Sequence, residues 1–164
     1  MKLHRLFLIC LLAALLCGCV GKITAPTSGP TARVTVEVTN FAPNRSLVNV
    51  ENGYFTISNA DESWGGQQIL QNDSPTFSQL VPAGEELTYI VHLMQGGGGF
   101  SSTCGVKFQM TLPQGADLHI KFELVRDQGP EVIGCVATLY SGDKLIGTYK
   151  GSSSITVYKV KWVY

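Results

Sequence analysis

Two histidines, His92 and His119, two adjacent carboxylates, Asp61 and Glu62, and a run of four glycines, Gly96 to Gly99, are the first candidates for chemistry beyond packing. A metal centre would need both imidazoles to meet a third ligand, and a catalytic triad would need an oriented nucleophile that the sequence does not single out. Each histidine falls in the polar phase of an alternating segment, where neighbouring side chains face solvent. Asp61 and Glu62 are paired carboxylates by position only, since adjacent residues seldom oppose each other across a substrate as glycoside hydrolysis requires. The glycines lack the Lys-Ser/Thr ending and following helix of a phosphate loop, and are expected to be a strand-to-strand connection. With these roles unfilled, no catalytic residues, no metal and no cofactor are expected.

Asp61-Glu62-Ser63-Trp64-Gly65-Gly66 offers a different chemistry, because a large aromatic beside acidic residues suits recognition. Trp64, Asp61 and Glu62 are the candidate binding residues, against the alternative that the indole folds back as a lid on the domain's edge. From Ser46 to Val106 there is no Lys or Arg, while Glu51, Asp61, Glu62, Asp73, Glu85 and Glu86 all occur. Such a stretch either forms an acidic surface for a basic partner or is neutralised by another segment.

The chain opens with Met1-Lys2-Leu3-His4-Arg5 and runs apolar from Leu6 to Leu16, the pattern of a secretory signal. Roughly half of the ~20 apolar residues needed to span a bilayer are present before Gly18 and Gly21-Lys22 interrupt the run. The following Leu16-Cys17-Gly18-Cys19 resembles the lipobox of bacterial lipoproteins. The resemblance implies a signal over residues 1–18 cleaved after Gly18, a thioether-linked diacylglycerol on Cys19, and acylation of the new amino terminus. Cys17 as the modified residue would put bulky Leu16 at the cleavage site, which argues against it. The acyl chains would hold the protein on an envelope membrane, since two or more chains give stable anchoring. Val20, in place of the inner-membrane Asp, favours the outer membrane if the source is Gram-negative.

With Cys10 and Cys17 removed and Cys19 lipidated, Cys104 and Cys135 remain, and an even pair in an oxidising compartment is expected to form a disulfide. Loss of Lys2 and Arg5 with the signal leaves ten basic against twelve acidic side chains, 10 − 12 = −2, which speaks against nucleic acid as a partner.

Residues 19–32, with Pro26, Pro30 and several small polar residues, read as the lipidated Cys followed by a flexible tether. Residues 33–164 are the length of one domain, and there the apolar period is two. Val34, Val36 and Val38 alternate with polar neighbours, as do Leu87 to Met94, Val106 to Leu112 and Leu118 to Leu124. Further strands are expected at Tyr54 to Ser58, Val132 to Tyr140, Lys144 to Tyr149 and Ile155 to Tyr164. Pro113 to Asp117 reads as a hairpin turn between two strands, and Ser141-Gly142-Asp143 as another corner. Asp61 to Ser78 lacks alternation and is left as a short helix or irregular loop. About eight short strands predict an all-β, antiparallel sandwich, immunoglobulin-like or related, with a small barrel as the alternative. The expected function is that of a non-enzymatic structural or protein-binding domain held in the envelope. A glycan-binding module is the alternative, and an enzyme using His92 or His119 comes third.

Overall fold

The computed structural model describes residues 21–42, 50–97, 100–129, 131–151 and 156–163. The expected signal, Cys19, Gly98–Gly99 and the strand start at Ile155 lie outside the described residues. Within them are ten strands and no helix: β1 (Thr31–Thr39), β2 (Val50–Asn59), β3 (Gly65–Leu70), β4 (Thr76–Pro82), β5 (Glu86–Gly97), β6 (Phe100–Thr111), β7 (Asp117–Arg126), β8 (Val132–Ser141), β9 (Lys144–Gly151) and β10 (Thr156–Lys159).

The strands form two five-stranded sheets, sheet A in the order β10-β6-β5-β2-β3 and sheet B in the order β4-β1-β7-β8-β9. Each sheet keeps its own edge strands, so the architecture is a sandwich and not a closed barrel. The alternating residues supply its interior: Val34, Val36 and Val38 from β1, Leu118, Ile120, Phe122 and Leu124 from β7, and Phe55, Tyr89, Val91 and Phe108 from sheet A all lie in one buried cluster. Alternation works because successive side chains of a strand point to opposite faces, so a strand covered on one face buries every second residue.

Three expectations about the layout are corrected. Asp61 to Ser78 holds β3 and the start of β4 in place of a helix or loop. Both are edge strands, and β3 buries only Leu70 fully, so little apolar alternation is required of it. Pro113 to Asp117 is not a hairpin turn: it carries the chain from β6 in sheet A to β7 in sheet B. Leu112 and Leu118 are both buried, on opposite sides of the same core, which alternation cannot distinguish from burial on the same side. Finally, the sheets are mixed, because β1 pairs with β7 and β10 with β6 in parallel, while the other pairings are antiparallel. The corner at Ser141–Lys144 is a hairpin as expected, with Gly142 at φ 55° in the left-handed region that a tight turn needs.

Of the segment expected to be a free tether, the described residues from Gly21 onward are attached to the domain at two places. Thr31 and Ala32 already belong to β1. Lys22 forms a parallel bridge with Gln67 on β3, the Gln67 N–H donates to the Gly21 carbonyl at 2.9 Å, and Ile23 is buried in the core. A single Ile in a Pro-, Gly- and Thr-rich stretch leaves the composition that of a linker, yet it brings enough apolar surface to anchor it.

The connections fall at two ends. β2–β3, β4–β5, β6–β7 and β8–β9 turn at one end, called the Gly84 end after its β4–β5 turn. β1–β2, β3–β4, β5–β6 and β7–β8 turn at the other, the Asp73 end.

Candidate functional site

The outer faces of the two sheets differ in chemistry. On sheet B the outward residues include Arg33 and Glu37 from β1 and Asp117, His119, Lys121 and Glu123 from β7. His119 Nε2 lies 3.5 Å from a Glu37 carboxylate oxygen, both side chains exposed. On sheet A, the outward positions of β3, β2 and the β5 stretch from Thr88 to Gly96 carry no charged side chain, while Glu86 on β5, Lys107 on β6 and Lys159 on β10 occupy outward positions of the same sheet.

At the centre of that uncharged patch Tyr54 pairs with Ile69 on one side and His92 on the other. The Tyr54 and His92 rings stack with centroids 5.0 Å apart and planes 13° from parallel. One pair further along, Asn52 lies opposite Met94 and Val50 opposite Gly96. Ile69, Met94 and Val50 are 48%, 50% and 37% exposed. Beside His92 the partner position on β6 is Gly105, which has no side chain to cover the ring. Partial burial lowers the His92 pKa, favouring the neutral imidazole, and its Nδ1 has no hydrogen-bond partner among the described residues. Amides frame the patch, with Gln67 Nε2 donating to Thr56 Oγ1 at 3.1 Å and Gln71 Nε2 to Asn52 Oδ1 at 2.6 Å.

His92 and His119 stand on the outer faces of different sheets, so they do not share a site. Among the described residues, no three His, Cys, Asp or Glu side chains gather as metal ligands. A cavity of about 260 Å³ opens at the Gly84 end between Thr31–Arg33, Leu80 and Gly115–Asp117. Arg33 and Asp117 are its only charged lining residues, and no nucleophile with a base is present there.

The Asp61–Trp64 turn joins β2 to β3 and is closed on itself. Asp61 accepts from the Ser63 hydroxyl at 2.8 Å and the Ser63 N–H at 3.1 Å, which lowers its pKa. Asn59 accepts from the Trp64 N–H at 3.0 Å through its side-chain oxygen. Asp61 and Glu62 are exposed, while the half-buried Trp64 ring packs against the core. The indole is thus folded back onto the sandwich edge.

The acidic stretch does not form one surface. Asp61, Glu62, Glu85 and Glu86 lie toward the Gly84 end, Asp73 lies at the other, and Glu51 is buried. Glu51 is the centre of a polar network that sequence reasoning missed. Its carboxylate accepts from Arg126 Nη2 at 2.8 Å, the Ala42 N–H at 2.9 Å and Gln95 Nε2 at 2.7 Å. Gln95 in turn accepts from the Val132 N–H at 2.9 Å. One signal was available: Glu51 shares the inward phase of Gly53, Phe55 and Ile57, and Gln95 that of Val91 and Leu93.

Cys104 on β6 and Cys135 on β8 form a disulfide between the two sheets, with Cα atoms 6.0 Å apart. A Cβ on Gly151 would lie 2.6 Å from the Cys135 sulfur, so the end of β9 must be glycine to pass it. The chain matches no family model, no curated protein and no solved structure.

Proposed function

We propose that the chain is a lipid-anchored β-sandwich of the bacterial envelope that binds an envelope protein without catalysing a reaction, and that it does so through the outer face of sheet A. The contrast between the charge-free patch on β3, β2 and β5 and the charged outward positions of β1 and β7 carries this reading. Burying charged groups is costly, whereas an uncharged face with exposed apolar side chains gains on contact, and contiguous exposed apolar patches mark interaction surfaces. The patch around Tyr54 and His92, with Ile69, Met94 and Val50, has that character.

The anchor rests on the basic and apolar N-terminal stretch and on Leu16-Cys17-Gly18-Cys19, and Val20 favours the outer membrane if the source is Gram-negative. A disulfide between Cys104 and Cys135 accords with an oxidising compartment. The separation of His92 from His119 supports a binding role over catalysis by that pair.

Photo-crosslinking in native membranes tests the surface. A photoreactive residue at position 69 or 94 is expected to give a discrete protein adduct, and one at position 37 or 121 on sheet B is not. No adduct from sheet A, with the protein abundant and folded, would remove this face as the contact. A glycan reading has one observation in its favour, the half-buried aromatic Tyr54 on the outer face with amide side chains nearby. Retention on isolated peptidoglycan that disappears in Tyr54→Ala would shift the choice to glycan.

A further inference from the structure

We infer that the Gly84 end of the sandwich is the end apposed to the lipid surface, and that the Asp73 end points away from it. The inference rests on lipidation of Cys19 as proposed above. What it adds is a fixed direction, because the chain next to the anchor is part of the fold and not a swivel.

Gly21, Lys22 and Ile23 run beside β3, held by the Gly21–Gln67 hydrogen bond, a single parallel bridge from Lys22 to Gln67 and the buried Ile23 side chain. Their approach is unusually close. A Cβ on Gly66 would lie 2.5 Å from the Gly21 oxygen and 2.7 Å from the Ile23 nitrogen, so the segment fits only because residue 66 is glycine. Gly66 is the second residue of β3, directly after the Asp61–Trp64 turn, which places Gly21 at the Gly84 end. Only Val20 separates Gly21 from Cys19. Two residue steps reach at most about 7 Å, short of the roughly 13 Å covered by the four residue steps from Gly66 to Leu70 at the far end of β3.

Exposed apolar side chains do not distinguish the two ends, since Ile133, Val125 and Val50 are exposed at the Asp73 end. Leu145 follows the β8–β9 turn with Lys144 beside it, and Val163 follows β10 beside Lys161; both apolar side chains are exposed. β10 runs parallel to β6 toward Thr111, and the Val160 N–H donates to the Gln109 carbonyl, so residues 161–163 continue toward the same end. Asp61, Glu62, Glu85 and Asp143 share that end, so anionic lipid does not draw it down by charge. The short attached leader sets the orientation.

The test uses the full lipidated chain in vesicles of phosphatidylethanolamine and phosphatidylglycerol doped with a nickel-chelating lipid. A nitroxide is placed on Glu85→Cys or on Asp73→Cys. Nickel at the headgroups is expected to relax the label at 85 several-fold more than the label at 73. Ten Gly and Ser residues inserted between Val20 and Gly21 are expected to bring the ratio toward one. Gly66→Val should act in the same direction by expelling the leader. Equal relaxation at both positions in the parent, or a reversed ratio, overturns the orientation while leaving the anchor intact. A chain that does not float with the vesicles and carries an unmodified Cys19 by mass spectrometry overturns the anchor, and the orientation with it.

Discussion

Arg126, at the end of β7 in sheet B, donates to Glu51, near the start of β2 in sheet A, at 2.8 Å in the interior of the Asp73 end. The pair ties the two sheets together where four connections meet. The Arg126 Nε also donates to the Asn40 carbonyl at 3.1 Å, and the Asn40 side chain donates to the Leu124 carbonyl at 2.6 Å. The guanidinium therefore fixes the exit of β1 as well as the carboxylate.

Removing Arg126 takes the counter-charge from the buried Glu51 carboxylate, which keeps the Ala42 N–H and Gln95 Nε2 as donors. Arg126→Ala is expected to destabilise the domain by about 3 to 5 kcal/mol, the range for breaking a buried ion pair. The double variant Glu51→Gln with Arg126→Met keeps the shape and removes both charges, and should recover most of that loss. Urea unfolding of the three proteins measures it. Equal stabilities of parent and Arg126→Ala would mean the pair contributes nothing.

The disulfide acts on the unfolded chain. Cys104 and Cys135 are 31 residues apart, and opening a loop of that size costs about 3 to 4 kcal/mol in the chain-entropy model. The Cys104→Ser, Cys135→Ser double variant should lose that amount at the urea midpoint, and the parent should lose a similar amount under a strong reductant. A loss in the variant far above this range would point to damage in the packing of the two sheets near Gly151 instead.

How much of this was legible in the sequence varies by residue. Val106 to Leu112 and Leu118 to Leu124 alternate so cleanly that their burial could be read directly, and every apolar residue of those two sets is in the core. Which sheet each belongs to could not be read, because alternation records burial and not the partner. β3 was invisible for a local reason. Its inward Gly66 packs the backbone of Gly21 and Ile23 instead of supplying an apolar side chain, and its outward Gln67 bonds to Thr56. Trp64 advertised itself as a contact by type alone, and the hydrogen bonds that turn it inward are made by Asn59 and Asp61, whose roles depend on a turn that sequence spacing did not specify. The uncharged patch of sheet A emerges only when β2, β3 and β5 are set side by side.

Tyr89 is a core residue with a polar atom out of place. Its ring stacks on Phe108 with centroids 5.0 Å apart, and its hydroxyl is buried with no hydrogen-bond partner among the described residues. Burial pushes its pKa far above the usual phenol value. Tyr89→Phe keeps the ring and removes the unsatisfied oxygen, so it is expected to stabilise the domain by about 1 kcal/mol. Thermal unfolding checks the sign. Destabilisation of similar size would show that the hydroxyl has a partner and contributes to the core.

His92 gives the fold a pH dependence whose direction follows from its burial. The folded-state pKa is lowered by desolvation: the stacked ring beside it is Tyr54, its cross-strand neighbour on β6 is Gly105, the next outward residue of β6 is Lys107, and the adjacent outward residues of β5 are Ile90 and Met94. The unfolded chain then binds a proton more readily than the folded one. By linkage this contribution to stability is fully present above about pH 6.5 and is lost as the pH falls through that value toward the lower folded-state pKa. The ring is partly exposed, so water screens the effect. Denaturation midpoints between pH 7.5 and pH 5.5 should fall in the parent and fall less in His92→Gln. The same variant reports on the proposed contact, because a partner covering the Tyr54–His92 patch would desolvate the imidazole further and make complex formation weaken on acidification. Binding unchanged by pH over this range, in a protein whose own stability follows the predicted slope, would place the contact away from His92.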